Sequence, residues 1–204
     1  MIDGLLKHIQ EEVGKGTPEE KEAWFEERTA NHIKMVQYAA QKIVDAYPEL
    51  NGLLDKVKEH DASKLQEPER TPYIELTWKH KFDNYKSYKT PGDVDDKAIN
   101  KATLHHILNN AHHPEFHLED KGDANIDPTD RDKSMEVIEI PAMDELSIAE
   151  MVADWESMSQ ELKNNTAREW YDKQKGVRWN FTPEQDAWID KFLKVFEGND
   201  EETN

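Results

Sequence analysis

Apolar residues recur at helical spacing along most of the chain. Trp24, Phe25, His32, Val36, Ala39, Ala40, Ile43 and Val44 fall on one side of a single long helix. Thr17-Pro18-Glu19-Glu20 reads as its start: a capping residue, proline at the first helical position, then acid in the first turn. Pro48 ends it. Leu53, Leu54 and Val57 lead a second helix into His60-Asp61. Thr71-Pro72 opens a third, carrying Tyr73, Leu76, His80 and Tyr85 up to a stop at Pro91-Gly92. Asp95 to Asn110 reads as a fourth, closed by Pro114. The pattern breaks over 117–142, a polar, turn-rich insertion with Gly122, Asp123, Asn125, Asp127 and Pro128, and one short extended piece at Val137-Ile140. Helical spacing returns from Asp144 to Leu162, and Thr182-Pro183-Glu184-Gln185 opens a last helix through Phe196. β-branched residues are too scattered to build a sheet core. The pattern predicts an all-α fold: a single compact helical domain over 1–204, with about six to seven helices, a core over about 17–196 and frayed ends.

Composition changes this picture in two respects. A chain of 204 residues buries roughly 70% of its unfolded surface, so it can hold a core in which a polar site is embedded. The net charge is −18, from 26 basic and 44 acidic residues. Such a surface repels nucleic-acid backbones and anionic membranes, and is first of all a solubility device. It leaves room for a small phosphorylated ligand, because a metal ion and one or two lysines reverse the field locally. No cysteine is present, which removes disulfides, thiolate metal sites and cysteine nucleophiles. Met1 to Gly14 lack the pattern of a signal peptide, and no apolar run approaches membrane-spanning length. A cytoplasmic protein is expected, with no nucleic-acid polymer and no membrane as partner. Its oligomeric state is not legible.

The chemistry is concentrated in histidines and carboxylates. Of nine histidines, His60 stands beside Asp61, and His105-His106 and His112-His113 form two pairs seven residues apart. Imidazoles and carboxylates are the usual ligands of zinc, manganese, iron and cobalt, and with more oxygen of magnesium. An adjacent His-Asp pair reaches one ion when it sits at a helix end or kink. His32 lies among apolar helical positions, and Asp154 lies in Met151-Val152-Ala153-Asp154-Trp155, an apolar setting for a carboxylate. A charge buried there is costly unless paired or bound to metal. Each residue alone also has a plain structural reading: a half-buried core histidine for His32, an interhelix salt bridge for Asp154, one buried and one solvated residue for His105-His106. The ordered set is what points to one or two divalent ions.

That order, together with the strings His60-Asp-Ala-Ser-Lys64, His105-His-Ile-Leu-Asn-Asn-Ala-His-His-Pro-Glu115 and Glu150-Met-Val-Ala-Asp-Trp155, resembles the HD superfamily of metal-dependent phosphohydrolases, and more narrowly a group of phage and bacterial HD-like proteins of unassigned function. The resemblance covers most of 25–195. It implies a helical HD-type domain whose metal is held by His32, His60, Asp61 and Asp154. Two-metal members carry extra histidines between the doublet and the last aspartate, usually more than twenty residues apart. Here His80 and His106 are 26 apart, whereas His106 and His112 are six apart. A second ion would therefore take His80 with His105 or His106, or the 105–113 cluster alone. Lys79-His80-Lys81 reads as solvated surface, which favours the cluster, with His106 and His112 as ligands.

Lys64 follows His60 by one helical turn, either as a surface lysine or as a group that holds a substrate phosphate. Glu115 and Glu150 are candidate general bases, ligands or partners of a ligating histidine. His113 is a candidate proton donor, and Asn110 and His105 are candidates for holding substrate. Tyr73, Trp78 and Trp155 are candidates to line a pocket, Trp155 being read first as a core residue. The expected reaction is hydrolysis of a small phosphoester, in first place a nucleotide. A di-iron oxygenase of the HD type and a scaffold that binds nucleotide or protein without turnover are the alternatives.

Overall fold

The computed structural model describes residues 16–83, 96–120, 126–127, 130–134, 136–163 and 165–198. Tyr85, Pro91-Gly92, the extreme ends and part of the 117–142 insertion lie outside the described residues. Seven α-helices carry the described chain: α1 (Pro18–Ala46), α2 (Gly52–Lys56), α3 (Arg70–Asp83), α4 (Asp96–Asn109), α5 (Glu145–Leu162), α6 (Ala167–Gln174) and α7 (Pro183–Leu193). Short 3-10 turns at Pro48–Leu50, Val57–Glu59, Ala62–Leu65 and Pro114–His117 link them. Strand content is slight. β1 (Ile126–Asp127) and β2 (Asp130–Ser134) pair antiparallel, and β3 (Ile138–Ile140) pairs parallel with β4 (Trp179–Phe181). The fold is all-α, as the spacing of apolar residues predicts.

The start signals work as local chemistry demands. Thr17 accepts from the Glu20 N–H while the Glu20 carboxylate accepts from the Thr17 N–H, so each satisfies an amide that the first helical turn leaves open. Thr182 and Gln185 repeat the arrangement on α7. Tyr47, which precedes Pro48, has φ −135° and ψ 78°, outside the helical region that a following proline disfavours. The expected second helix is short. It passes into a 3-10 turn before His60.

α1 and α5 pack along each other over the longest interhelix contact, with α7 against α5 and α3 against α1. The main core fills this seam with Val36, Ala40, Ile43, Leu53, Ile148, Val152, Ile189 and Phe192. A smaller cluster, Phe25, Tyr73, Leu76, Ile99 and Ala102, joins α1, α3 and α4. The buried positions of α1 run Phe25, Thr29, His32, Val36, Ala39. His32 thus stands between the smaller cluster and the main core, on the stripe that the helix must bury.

Two expectations are corrected here. His80, expected on the surface, is 6% exposed. Its neighbour Lys81 lays its ammonium over the Trp24 and Trp78 rings, at 4.1 and 4.5 Å from their centroids, and lysine stems cover apolar surface readily. Flanking lysines are therefore no sign of exposure. The second correction is α6, which the apolar spacing does not announce.

Candidate metal centre

The His60-Asp61 doublet falls at a break between two 3-10 turns. His60 has φ −53° and ψ 130°, and Asp61 has φ 59° and ψ 11°. Asp61 is thus left-handed, a conformation that costs most residues about 1–2 kcal/mol but that Asp and Asn tolerate. The reversal between the two residues lets both side chains turn inward, and His60 and Asp61 are 2% and 1% exposed.

Three further elements converge on them. From α1, His32 Nε2 stands 3.1 Å from Asp154 Oδ1 and 3.4 Å from Asp61 Oδ2. From α5, Asp154 Oδ1 stands 3.8 Å from His60 Nε2, which is also 3.8 Å from Asp61 Oδ2. From the last turn of α4, His106 Nε2 stands 3.2 Å from the other Asp61 oxygen, Oδ1, with His112 Nε2 at 3.8 Å from it. His112 and His113 lie beyond the helix, in the turn before Pro114. Their rings are 4.3 Å apart, and His113 lies 4.8 Å from the His106 ring. The Asp61 carboxylate therefore faces two groups: His32, His60 and Asp154 on one side, and His106 and His112, with His113 next to them, on the other.

Carboxylates outside the cluster orient its imidazoles. Glu150, one turn before Asp154 on α5, lies 2.9 Å from His60 Nδ1 and 3.6 Å from His112 Nδ1. The Glu150 carboxyl is pulled down to about 2: burial opposes ionisation, but the His112 and His60 imidazoles beside it outweigh that. Burial works against Asp61 too, yet Lys64 and His60 hold it well below the usual carboxylate range. His60 is pushed up, because the pull of Asp61 and Glu150 outweighs its burial. His112 and His113 go down, chiefly through burial and then through neighbouring imidazoles.

These contacts have two explanations: hydrogen bonding within the cluster, or donors arranged around an ion. Three buried atoms favour the second. His60 Nε2, Asp61 Oδ1 and His113 Nε2 are buried without a hydrogen-bond partner, although leaving such an atom unsatisfied costs about 1–3 kcal/mol. All three belong to the cluster, although Thr103 Oγ1, Glu115 Oε2 and Glu161 Oε2 outside it also make no hydrogen bond. Donor atoms sharing one ion at roughly 2.0–2.2 Å stand about 3–3.5 Å apart, which is close to the separations found here. The sets His32-His60-Asp154, His60-Asp61-His112 and His106-His112-His113 each bring three such atoms within 4.8 Å of one another. The residues present fit a divalent ion.

A pocket of about 180 Å³ opens against the cluster, an order of magnitude more than the roughly 10–15 Å³ that one water requires. His32, His106, His112, His113, Asp154 and Lys64 form one side. Trp155, Trp170 and Trp179 supply indole surface on the rest, with Arg178 beside them. Trp155 lies parallel to Trp179 at 6.1 Å and to Tyr171 at 5.9 Å. Lys64 Nζ is 2.6 Å from Asp61 Oδ2 and 5.7 Å from the centre of the Tyr73 ring.

The structure brings together His32, His60, Asp61, Lys64, His106, His112, His113, Glu150 and Asp154. It puts three candidates elsewhere. Glu115 does not line the pocket. It is fully buried, and its Oε1 accepts from Arg178 Nη2 and the Trp179 indole N–H, both at 2.9 Å. Asn110 gives its amide hydrogens to Ser63 Oγ and the His106 carbonyl, each at 2.8 Å. His105 is part-exposed and lies 2.6 Å from Glu69. Of the expected pocket aromatics, Tyr73 and Trp155 line it, but Trp78 does not. Sequence reasoning missed Arg178 and Glu69, which carry no motif.

A helical protein with a buried cage of imidazoles and carboxylates able to hold a divalent ion is the class defined here. The chain belongs to the family described as a family of unknown function (DUF5662), which it matches over residues 21–195. No curated protein and no solved structure matches it.

Proposed function

We propose that this protein is a metal-dependent phosphohydrolase of the HD type that acts on a small phosphoester, in first place a nucleotide. One observation carries the reading: the donor atoms of His60, Asp61 and His113 that make no hydrogen bond lie in a cluster whose His32, His106, His112, His113 and Asp154 line a pocket that also holds Lys64. His32, His60, Asp61 and Asp154 would hold one divalent ion, and His106 and His112, sharing Asp61, a second. An ion so held supplies Lewis acidity to a phosphoryl oxygen and lowers the pKa of water towards 7.

The chain's own groups do the rest. Lys64 lends its ammonium to a non-bridging phosphoryl oxygen as negative charge builds there. It can do so at neutral pH, because Asp61 and Tyr73 outweigh its burial and push its pKa up. His113 is held neutral, so it serves as a proton acceptor or as a ligand in preference to a proton donor. Trp155, Trp170 and Trp179 offer flat apolar surface for the organic part of the ester, and a nucleobase fits that chemistry. Glu115 has no part in the reaction. It braces Arg178 and Trp179 at the pocket wall.

The test is phosphate release from a panel of nucleotides and simple phosphoesters with manganese, cobalt or magnesium, comparing wild type with Asp61→Asn. Turnover that is lost in the variant is expected. Ion bound at the cage with no phosphoester turned over sinks the proposal. The nitrogen-rich group His106-His112-His113 favours one second reading, a di-iron oxygenase. Two irons per chain with a ligand-to-metal optical band would support it.

A further inference from the structure

Glu69 is fully buried, and both of its oxygens are engaged. Oε1 stands 2.6 Å from His105 Nδ1. Oε2 stands 2.9 Å from His106 Nδ1 and accepts from Ser63 Oγ at 3.0 Å. It precedes α3 and reaches across to α4, more than thirty residues on in the chain. A carboxylate costs several kcal/mol to bury alone, yet this one is held ionised, because the hydrogen bonds from His106, His105 and Ser63 outweigh the effect of burial.

His106 has two ring nitrogens, and their protonation decides what the cage receives. Three groups approach Nδ1, Ser63 Oγ at 3.3 Å among them, and two of these compete for it. The Asn110 amide nitrogen, a donor, lies 3.1 Å away, and the Glu69 oxygen, an acceptor, lies 2.9 Å away. If Asn110 prevailed, Nδ1 would carry a lone pair and Nε2 would present N–H to the cage. At Nδ1 the surroundings decide against this. Both amide hydrogens of Asn110 already have acceptors, at Ser63 Oγ and the His106 carbonyl. Ser63 Oγ accepts from Asn110 and gives its own proton to Glu69. The carboxylate has only acceptor capacity, so the ring must supply it with a proton. Nδ1 is then N–H, which turns Nε2 to the cage, 3.2 Å from Asp61 Oδ1, a second acceptor that draws a proton of its own until an ion replaces it.

We infer that Glu69 is a positioning residue: it holds a proton on His106 Nδ1, so that Nε2 is the nitrogen turned to the cage, with Ser63 and Asn110 closing the alternative at Nδ1. Glu69 thus does for His106 what Glu150 does for His60. The part of the inference that concerns ion affinity rests on the metal reading above. The proton on Nδ1 does not.

Two measurements separate them. In the ion-free protein, long-range nitrogen–proton spectra of labelled histidine report which nitrogen of His106 is protonated. Wild type is expected to show Nδ1–H. Glu69→Ala is expected to shift His106 towards Nε2–H, with Glu69→Gln, which keeps one acceptor, in between. Cobalt titration followed by calorimetry and by visible absorption is expected to lose about 10–100-fold in affinity at the His106 side in Glu69→Ala, and less in Glu69→Gln. Wild-type tautomer and wild-type cobalt affinity in both variants, whatever happens to their melting temperatures, would leave Glu69 as mere structure and overturn the inference. If Glu69→Ala does not fold, Glu69→Gln and the wild-type tautomer decide alone. Wild type that binds no cobalt but has the expected tautomer would sink the metal reading and leave the positioning role standing.

Discussion

At the scale of single residues, a histidine becomes a ligand through the group behind it. His60 is the case in hand: Glu150 fixes its Nδ1, and its Nε2 is left without a hydrogen bond inside the cluster. Glu150→Gln is therefore expected to weaken manganese or cobalt binding by about 10–100-fold in calorimetry while the fold persists. Glu115 makes the opposite case. Removing it would bury the Arg178 guanidinium without its carboxylate and take the acceptor from the Trp179 indole. Glu115→Ala is expected to cost about 3–5 kcal/mol in denaturant unfolding. The metal candidates His32, His60, Asp61, His106, His112 and Asp154 were legible because their types are rare in apolar settings. Glu69 and Arg178 were not, because their meaning lies in contacts between remote segments. His105 and Asn110 look like site residues by proximity in sequence, yet they point at the supporting layer.

At the scale of elements, caps and breaks set the geometry. Asp144 caps α5, accepting from the Ser147 N–H at 3.0 Å and from its hydroxyl at 2.6 Å. Those two bonds outweigh burial and lower its pKa below 3.8. A carboxyl depressed on folding contributes stability above its unfolded value and loses it as pH falls through its folded value. Asp144→Ala is therefore expected to cost about 1 kcal/mol at pH 7. The gap between the two proteins should close as unfolding is repeated below pH 4, and a gap that persists there would assign the effect to something other than the charge. Most helices were legible from apolar spacing and proline. α6 was not, because its eight residues bury only Ala167, Tyr171 and Gln174. The signal was present in Thr166-Ala-Arg-Glu169, whose ends cap each other.

At the scale of the whole molecule, the cage draws on α1, α4, α5 and the doublet, so an ion there ties together elements from the two apolar clusters. An ion that binds only the folded state at 100 times its dissociation constant adds about 2.7 kcal/mol. For a chain of this length that is a rise of roughly 5–10 °C in melting temperature. Manganese, cobalt or zinc should produce it, and chelator should reverse it. The acid excess contributes to this economy, since −18 charges favour any cation that enters. Among the described residues no helix is long and apolar enough to cross a membrane. The all-α class was readable from pattern alone, whereas the parallel pairing of β3 with β4 was not, since it joins segments about forty residues apart.

The left-handed backbone at Asp61 gives the doublet a reading direction. Asparagine tolerates that conformation as aspartate does, whereas β-branched residues resist it. One oxygen-to-nitrogen exchange can therefore erase the shared charge and leave the hinge of the loop undisturbed. Chemistry and architecture come apart at this position, so an Asp61→Asn protein would keep the shape of the cage without its charge, and an Asp61→Val protein would keep neither.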